Sequence, residues 1–138
     1  MTIRQMQIQD YEEIYAMWQI TSKRALSSAD SKDAIRRYLD RNPGLSQVAV
    51  EGEKIVGTVL AGHDGRRGFI HHMAVMPHYR RKGIARAMAQ RALSGLQNEG
   101  IDKTHIFCFY DNEAGKAFWR SLGFLYREDL TVFSCQTK

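Results

Sequence analysis

The chain has 138 residues, of which 43% are hydrophobic and 25% charged, a balance that excludes a disordered chain and predicts one domain over residues 1–138. It contains no apolar run long enough to cross a bilayer and no secretory signal, so we expect a cytoplasmic protein without a membrane partner. Its only cysteines, Cys108 and Cys135, lack a metal-type spacing and indicate a reducing compartment. The net charge of +5 predicts a basic surface that suits either nucleic acid or an anionic cofactor.

The first half of the chain carries alternating and helical hydrophobic patterns separated by turn signals. Asp10, with Glu13 three residues later, is typical of a capping box at the start of a first helix. A polar break over 27–30 separates this helix from the next, and the His-Asp-Gly triplet at 63–65 predicts a hairpin turn. The patterns predict a strand over 2–8, helices over 11–18 and about 31–41, and strands over 47–51, 54–62 and 68–75.

The second half begins with the strongest helix signal, a continuous apolar stripe that stops at Gly100. Asn112 is expected to cap the last helix of the chain. The patterns predict a helix over 84–96, a strand over 105–110, a helix over about 113–122 and two short strands within 124–136. Strands and helices in this order indicate a mixed α/β domain with one central sheet.

A short basic loop lies between the strand that ends at Val75 and the helix that begins at Ile84. Gly83, at the turn, lets the backbone approach a bulky anion, and the first N–H groups of the helix have no intrahelical partner. Because the helix dipole adds positive potential there, this stretch predicts a pyrophosphate site. Clustered cations favour such a local site over a nucleic-acid surface: Arg66, Arg67, Arg80, Arg81, Lys82 and Arg86.

The run from Met73 to Ala85 resembles the acetyl-CoA signature of the GNAT superfamily, whose loop reads Gln/Arg-x-x-Gly-x-Gly/Ala. Residues 57–68 further resemble small bacterial acetyltransferases of the YpeA type. The resemblance implies a GNAT fold, an α/β domain with a mixed, mostly antiparallel central sheet flanked by about four helices. A second family motif is matched at the expected distance by Asn112, Ala114, Ala117, Phe118, Leu122, Gly123 and Phe124.

The resemblance also implies that acetyl-CoA is the acetyl donor and that a primary amine attacks it directly. The acceptor would enter near the first two helices, with the segment 22–31 and the tail after Phe124 shaping its pocket. In the family, the strand backbone holds the pantetheine arm and the loop amides hold the pyrophosphate. The residues implied to bind the cofactor are Met73, Ala74, Val75, Arg80, Arg81, Lys82, Gly83, Ile84, Ala85 and Asn112.

His71 is the candidate general base, since imidazole titrates near neutral pH. Strand periodicity predicts that His71 and His72 point to opposite faces, with His71 on the face of Met73 and Val75, where some GNAT enzymes place a catalytic histidine or glutamate. The alternative is a hydrogen-bonded core histidine. No metal is expected, because the nearby histidines diverge and lack a complete ligand set.

The general acid is where the chain departs from the family, since Trp119 stands where many members have tyrosine and indole is not a useful proton donor. Tyr110, Tyr79 or solvent would supply that proton, and Tyr110 is the candidate catalytic residue, with a core role as its alternative.

Two functions follow: an N-acetyltransferase acting on a primary amine, or a non-catalytic CoA-binding module acting as a sensor or a structural module. No nucleic-acid partner is expected, because neither interleaved aromatic residues nor a helix-turn-helix pattern is present. A homodimer is left open.

Overall fold

The computed structural model describes residues 1–138, which form two compact units, residues 1–107 and 108–138. None of the helices is long and apolar enough to span a membrane. The prediction of a single domain stays a prediction.

The first unit is built on a five-stranded sheet in the order β1-β2-β3-β4-β5. The first three strand pairs are antiparallel and the last is parallel, which confirms the predicted mixed, mostly antiparallel sheet. The strands are β1 Thr2–Gln5, β2 Gln47–Glu51, β3 Lys54–His63, β4 Gly68–Val75 and β5 Thr104–Ile106.

The β3–β4 hairpin forms where the sequence predicted it, around Asp64 and Gly65. Gly65 adopts a φ of +95°, which a residue without a side chain reaches without strain. The carboxylate of Asp64 accepts hydrogen bonds from the backbone N–H groups of Arg66 and Arg67, both at 2.8 Å. Local turn chemistry therefore sets the pairing of the two central strands.

Helices α1 (Tyr11–Thr21) and α2 (Lys32–Arg41) cover one face of the sheet. Ser31 caps α2, its side chain accepting from the N–H of Ala34. Large apolar side chains from both helices and from strands β2–β4 form one buried cluster. Its members include Ile14, Met17, Trp18, Ile35, Val48, Ile55, Leu60 and Ala74.

The capping box predicted for Asp10 and Glu13 is wrong. The Asp10 carboxylate makes no cap on α1; it accepts two hydrogen bonds from Arg4 and one from the N–H of Gln7. The Glu13 carboxylate accepts from the backbone N–H of Ile55, at 2.7 Å, in strand β3. Other partners thus replace the predicted cap: Arg4 and Gln7 for Asp10, and a strand distant in sequence for Glu13. Strand β1 ends at Gln5, and a 3-10 turn occupies residues 8–10.

Helix α3 (Ile84–Asn98) packs on strands β2, β3 and β4. Its Met88 side chain lies so close to Gly57 that a Cβ there would come within 2.9 Å of the Met88 Cε. Ala49 borders this contact, whereas its neighbour Val48 belongs to the α1–α2 cluster, so α3 covers the opposite face of the sheet. The predicted stripe is confirmed by the buried residues Ile84, Met88, Ala89, Ala92 and Leu96.

The second unit contains α4 (Glu113–Ser121), which brings the helices to the predicted four. Asn112 caps α4 by accepting a hydrogen bond from the N–H of Gly115, at 2.9 Å, as predicted. The two strands expected within 124–136 are absent, and the strand expected over 105–110 is only Thr104–Ile106. Alternating residues form a strand only where a neighbouring strand completes the ladder, and the tail residues have none.

Candidate functional site

The basic loop before α3 has an unusual backbone. Arg81 and Gly83 both adopt left-handed conformations, with φ of +63° and +81°. Gly83 is the N-cap of α3 but no side chain caps this helix, and the first helical bond runs from Ala87 N–H to Gly83 O. The N–H groups of Ile84 and Ala85 therefore have no intrahelical partner. Residues with alternating backbone hands ahead of a helix N-terminus form an anion-binding concavity.

The loop is open and positively charged. No atom lies within 4 Å of the position that a Cβ of Gly83 would take, so the site in front of it is unobstructed. Arg80 ties the loop to the end of β4, since its Nε donates to the carbonyl of Val75 at 3.0 Å. Lys82 Nζ lies 5.6 Å from the ring centre of Tyr79. A pyrophosphate fits this arrangement of donors and cations.

Strand β4 has a free edge directly before this loop. The parallel partner β5 pairs with only three of its residues, up to Ile70 with Ile106. On that side, β4 from His71 to Val75 has no strand partner, although it stays paired with β3 on the other side. An extended ligand can hydrogen-bond such an edge, as an added strand does. The free edge and the open loop together fit the pantetheine and pyrophosphate parts of CoA.

A β-bulge interrupts β4 at the beginning of this edge. Leu60 of β3 pairs with His71, but Thr58 pairs with Ala74, so Val59 alone faces two residues of β4. His72, inside the bulge, has a φ of +48°, which is strained for a residue with a side chain. Bulges are frequent next to active sites, where they redirect a side chain.

The bulge makes the prediction of opposite faces for His71 and His72 wrong. The His72 ring stacks on Trp18 of α1, with ring centres 4.3 Å apart. The His71 ring lies edge-on to Tyr38 of α2, with ring centres 6.2 Å apart. Trp18 and Tyr38 belong to the same apolar cluster, so both histidines face the side of α1 and α2.

His72 forms a buried pair with Asp30, which the sequence analysis did not identify. Its Nε2 lies 2.8 Å from Asp30 Oδ1, and the two side chains are only 8% and 7% exposed. Asp30 ends the turn 28–30, where its other carboxylate oxygen accepts from the N–H of Ser27. Burial by itself would raise the pKa of Asp30, but the hydrogen bonds from His72 and Ser27 and the nearby imidazoles hold that pKa below its usual value. The only sequence signal was the Ser-x-x-Asp spacing in the polar break.

A buried series of hydrogen bonds holds the bulge in place. The indole Nε1–H of Trp18 donates to Thr58 Oγ1, and that hydroxyl donates to the carbonyl of His72, both at 2.9 Å. Trp18 and Thr58 are completely buried. The series satisfies a carbonyl that the bulge takes out of the strand ladder.

His71, the predicted base, lies among aromatic rings. Phe69 and Phe107 have ring centres 6.5 Å from it, in addition to Tyr38. Burial lowers the pKa of His71, the neighbouring His72 acts in the same direction, and Asp30 opposes them. His71 is therefore held mainly neutral, and its catalytic role stays a prediction.

Tyr38, which contacts His71, has a buried hydroxyl without a hydrogen-bond partner, and burial raises its pKa. We expect Tyr38→Phe to raise the free energy of unfolding by about 1 kcal/mol, because it removes an unsatisfied buried group. Tyr11→Phe is the matched control: the Tyr11 hydroxyl donates to the Asp30 carbonyl at 2.7 Å, so its loss is expected to lower that free energy by about 1 kcal/mol. Urea unfolding of both variants measures the effect, and equal losses would contradict it.

The remaining predicted residues lie in the second unit. Tyr110, the candidate acid, is 80% exposed, with Lys116 Nζ 4.2 Å from its ring centre. Trp119 is buried between Phe118 and Phe124. The acid role of Tyr110 and the cofactor role of Asn112 stay predictions.

Relatives with similar sequences identify the family of this chain. The model of the acetyltransferase (GNAT) family matches residues 8–124. An acetyltransferase of Sodalis glossinidius is 31% identical over 132 residues, which cover 96% of this chain and 92% of the relative.

Solved structures show the same fold. The aminoglycoside 6'-N-acetyltransferase AAC(6')-IG of Acinetobacter haemolyticus, in its apo form, superimposes with a TM-score of 0.80 at 20% identity over 100% of both chains. The PaiA N-acetyltransferase of Thermoplasma acidophilum, in complex with coenzyme A, has a TM-score of 0.77 at 18% identity over 91% of this chain and 90% of its own.

These similarities confirm the predicted family and the predicted α/β fold. The chain therefore belongs to the acetyltransferase (GNAT) family, whose N-acetyltransferases take the acetyl group from acetyl-CoA.

Proposed function

We propose that this chain transfers the acetyl group of acetyl-CoA to a primary amine, by direct attack of the amine in a ternary complex. The anion-binding loop at the start of α3 is the observation that carries the proposal. A pyrophosphate needs converging N–H donors and positive charge, and this loop supplies both. Membership of the family supplies the reaction class.

In this proposal, the N–H groups of residues 81–85 hold the pyrophosphate, with Arg80 and Lys82 adding charge. The free edge of β4 over Met73–Val75 holds the pantetheine arm, and Asn112 contacts the cofactor. Bound there, acetyl-CoA supplies an activated thioester. The chain's own contribution is to hold donor and acceptor together, which replaces a bimolecular encounter by a reaction within one complex.

The acceptor side of the proposed site is formed by α1, α2 and the segment 22–31 between them. The sequence predicted His71, on this side of the sheet, as the base and Tyr110 as the acid; the proposal requires one proton acceptor on this side and keeps Tyr110 as the acid. We also propose a cytoplasmic location. Both cysteines are free, and a reducing compartment keeps cysteines in that state. Neither the identity of the amine nor the oligomeric state enters the proposal.

A second candidate function is a CoA-binding module without turnover. Trp119 favours it, because a buried indole occupies the position of the family's acidic tyrosine. The two candidates share the cofactor site and differ only in whether an amine reacts.

Two measurements test these alternatives in order. Calorimetry with acetyl-CoA is expected to show binding to the full chain, and an absence of binding would overturn both candidates. Release of free CoA thiol is then followed with a panel of primary amines: polyamines, aminoglycosides, peptides with a free N-terminus and lysine peptides. Amine-dependent thiol release is expected, whereas binding without release by any amine would replace the enzyme by the CoA-binding module.

A further inference from the structure

We propose that His72, oriented by Asp30, is the general base that takes a proton from the acceptor amine. This inference rests on the proposed acetyl transfer, and it assigns to the Asp30–His72 pair the base role that the sequence predicted for His71. The observations that carry it are the buried Asp30–His72 pair and the strained backbone of His72.

The backbone strain of His72 and the burial of the pair both lower stability, and a pair with only a structural role requires neither. A left-handed backbone is unfavourable for a residue with a side chain, and strain of this kind is concentrated at functional sites. A buried imidazole–carboxylate pair also loses hydration, and such pairs add little to stability compared with apolar residues of similar size. Trp18 stacks on the ring and Thr58 holds its backbone, so the surrounding core keeps His72 in this conformation.

The hydrogen bond with Asp30 determines which ring nitrogen can accept a proton. The low pKa of Asp30 keeps its carboxylate ionised, and an ionised carboxylate only accepts hydrogen bonds. Nε2 of His72 must therefore donate to Asp30 Oδ1, at 2.8 Å. In the neutral ring, the lone pair is then on Nδ1, and Asp30 stabilises the imidazolium that forms when Nδ1 takes a proton.

The pair also joins the two sides of the proposed site. His72 directly precedes Met73, the first residue of the β4 edge that is assigned to the pantetheine arm. Asp30 lies in the segment 22–31, which is assigned to the acceptor. One end of the dyad is thus on the donor strand and the other on the acceptor segment.

The proton balance of the step is as follows. A primary amine arrives as an ammonium ion, and Nδ1 of His72 takes one of its protons, which leaves a free electron pair on nitrogen. That pair forms the new C–N bond to the acetyl carbon while the C–S bond breaks, and the sulfur leaves with the C–S electrons. The nitrogen loses a second proton as the amide forms, and the sulfur takes up one proton to give the CoA thiol. His72 returns its own proton to water.

Several other groups face this pair. His71 adjoins it from the same strand and interacts electrostatically with Asp30. From α1, the Tyr11 hydroxyl donates a hydrogen bond to the Asp30 carbonyl. From α2, the Tyr38 ring contacts the ring of His71. No carboxylate orients His71, whose ring is enclosed by aromatic residues, so His72 is the better placed base.

The test compares His72→Gln, which keeps a donor for Asp30 but cannot accept the proton, with His63→Gln, a histidine paired with Glu99 away from the site. His72→Gln is expected to lower kcat about 100-fold while the calorimetric affinity for acetyl-CoA and the urea midpoint stay unchanged. His63→Gln is expected to keep the wild-type kcat. Wild-type kcat in a folded His72→Gln variant would overturn the base role.

Where His72→Gln does not fold, His72→Gly suits the positive φ and leaves space for an added ring. Added imidazole is expected to restore turnover to this variant, and a failure to restore it in a folded variant that still binds acetyl-CoA would overturn the role. Asp30→Asn removes the charged acceptor that orients the ring, so its kcat is expected to fall while its affinity for acetyl-CoA stays unchanged. Asp33→Asn, an exposed aspartate on α2, is the matched control and is expected to keep the wild-type kcat.

A measurement independent of turnover is the tautomer of His72 in the free protein, from long-range ¹H–¹⁵N NMR. The Nε2–H tautomer is expected, with its preference lost in Asp30→Asn, and an Nδ1–H tautomer would overturn the inference.

The proposed acetyl transfer and the base role of His72 fail in different experiments. A wild-type chain that acetylates no amine removes the proposed function and the base role together, whereas activity that survives in His72→Gln removes the base role alone.

Discussion

Replacing Gly83 by valine is expected to weaken acetyl-CoA binding about 100-fold or more, by calorimetry, because two charge-assisted hydrogen bonds at about 1.5 kcal/mol each would be lost. Gly83 has a φ of +81°, which a β-branched residue adopts only with strain. The loop would relax toward an ordinary backbone, and the N–H groups of residues 84–86 would then no longer converge on one anion. Nothing else obstructs the substitution, since no atom lies within 4 Å of the added Cβ.

Gly44 provides a matched control for this substitution. It lies in the loop between α2 and β2, has the same φ of +81° and has no atom within 4 Å of its Cβ position. Gly44→Val therefore imposes the same backbone strain away from the anion site. Both variants are expected to lose similar stability, and only Gly83→Val is expected to lose acetyl-CoA. Equal affinities in the two variants would remove the loop from cofactor binding.

Thr58→Val is expected to lower the free energy of unfolding by about 3 kcal/mol, although the two side chains have nearly the same shape. The substitution leaves two buried groups without partners, the indole N–H of Trp18 and the carbonyl of His72, each at a cost of roughly 1–3 kcal/mol. Urea unfolding measures this loss. The same change frees the β4 bulge, so kcat is expected to fall as well.

A double-mutant cycle with Trp18→Phe checks the cause. Phenylalanine has no N–H group. The double variant therefore leaves only the His72 carbonyl unsatisfied, whereas Thr58→Val alone also leaves the Trp18 indole N–H unsatisfied. The loss in the double variant is therefore expected to be smaller than the sum of the two single losses. Strict additivity would show that Thr58 and Trp18 do not act through their hydrogen bond.

Elements with short-range signals were predicted well. The Asp-Gly turn after β3, the apolar stripe of α3 and the Asn112 cap of α4 each depend on residues a few positions apart. Such signals are complete in the local sequence, and tertiary contacts reinforce them. The bounds of β2 and β4 agree with the prediction for the same reason.

The errors share a different cause. Each depends on a partner outside the local pattern, which either competes for the predicted group or is missing. The Asp10 and Glu13 carboxylates were expected to cap a helix, but Arg4 and the N–H of Ile55 claim them. The tail after Phe124 has the composition of strands, yet no neighbouring strand pairs with it. Local patterns report a residue's preference, and a competing long-range partner decides the outcome.

The sequence by itself determined the anion-binding loop before α3, the family and the α/β fold, because a glycine turn, a cluster of cations and a helix start are adjacent along the chain. Only the tertiary structure brought together the residues to which we assign the acceptor side. Asp30 meets His72 across 42 positions and Trp18 meets Thr58 across 40, and the bulge that turns His72 toward them depends on the register of β3 against β4. Periodicity assumes regular strand pairing, so it placed His71 and His72 on opposite faces. One extra residue in the ladder brings them to the same side.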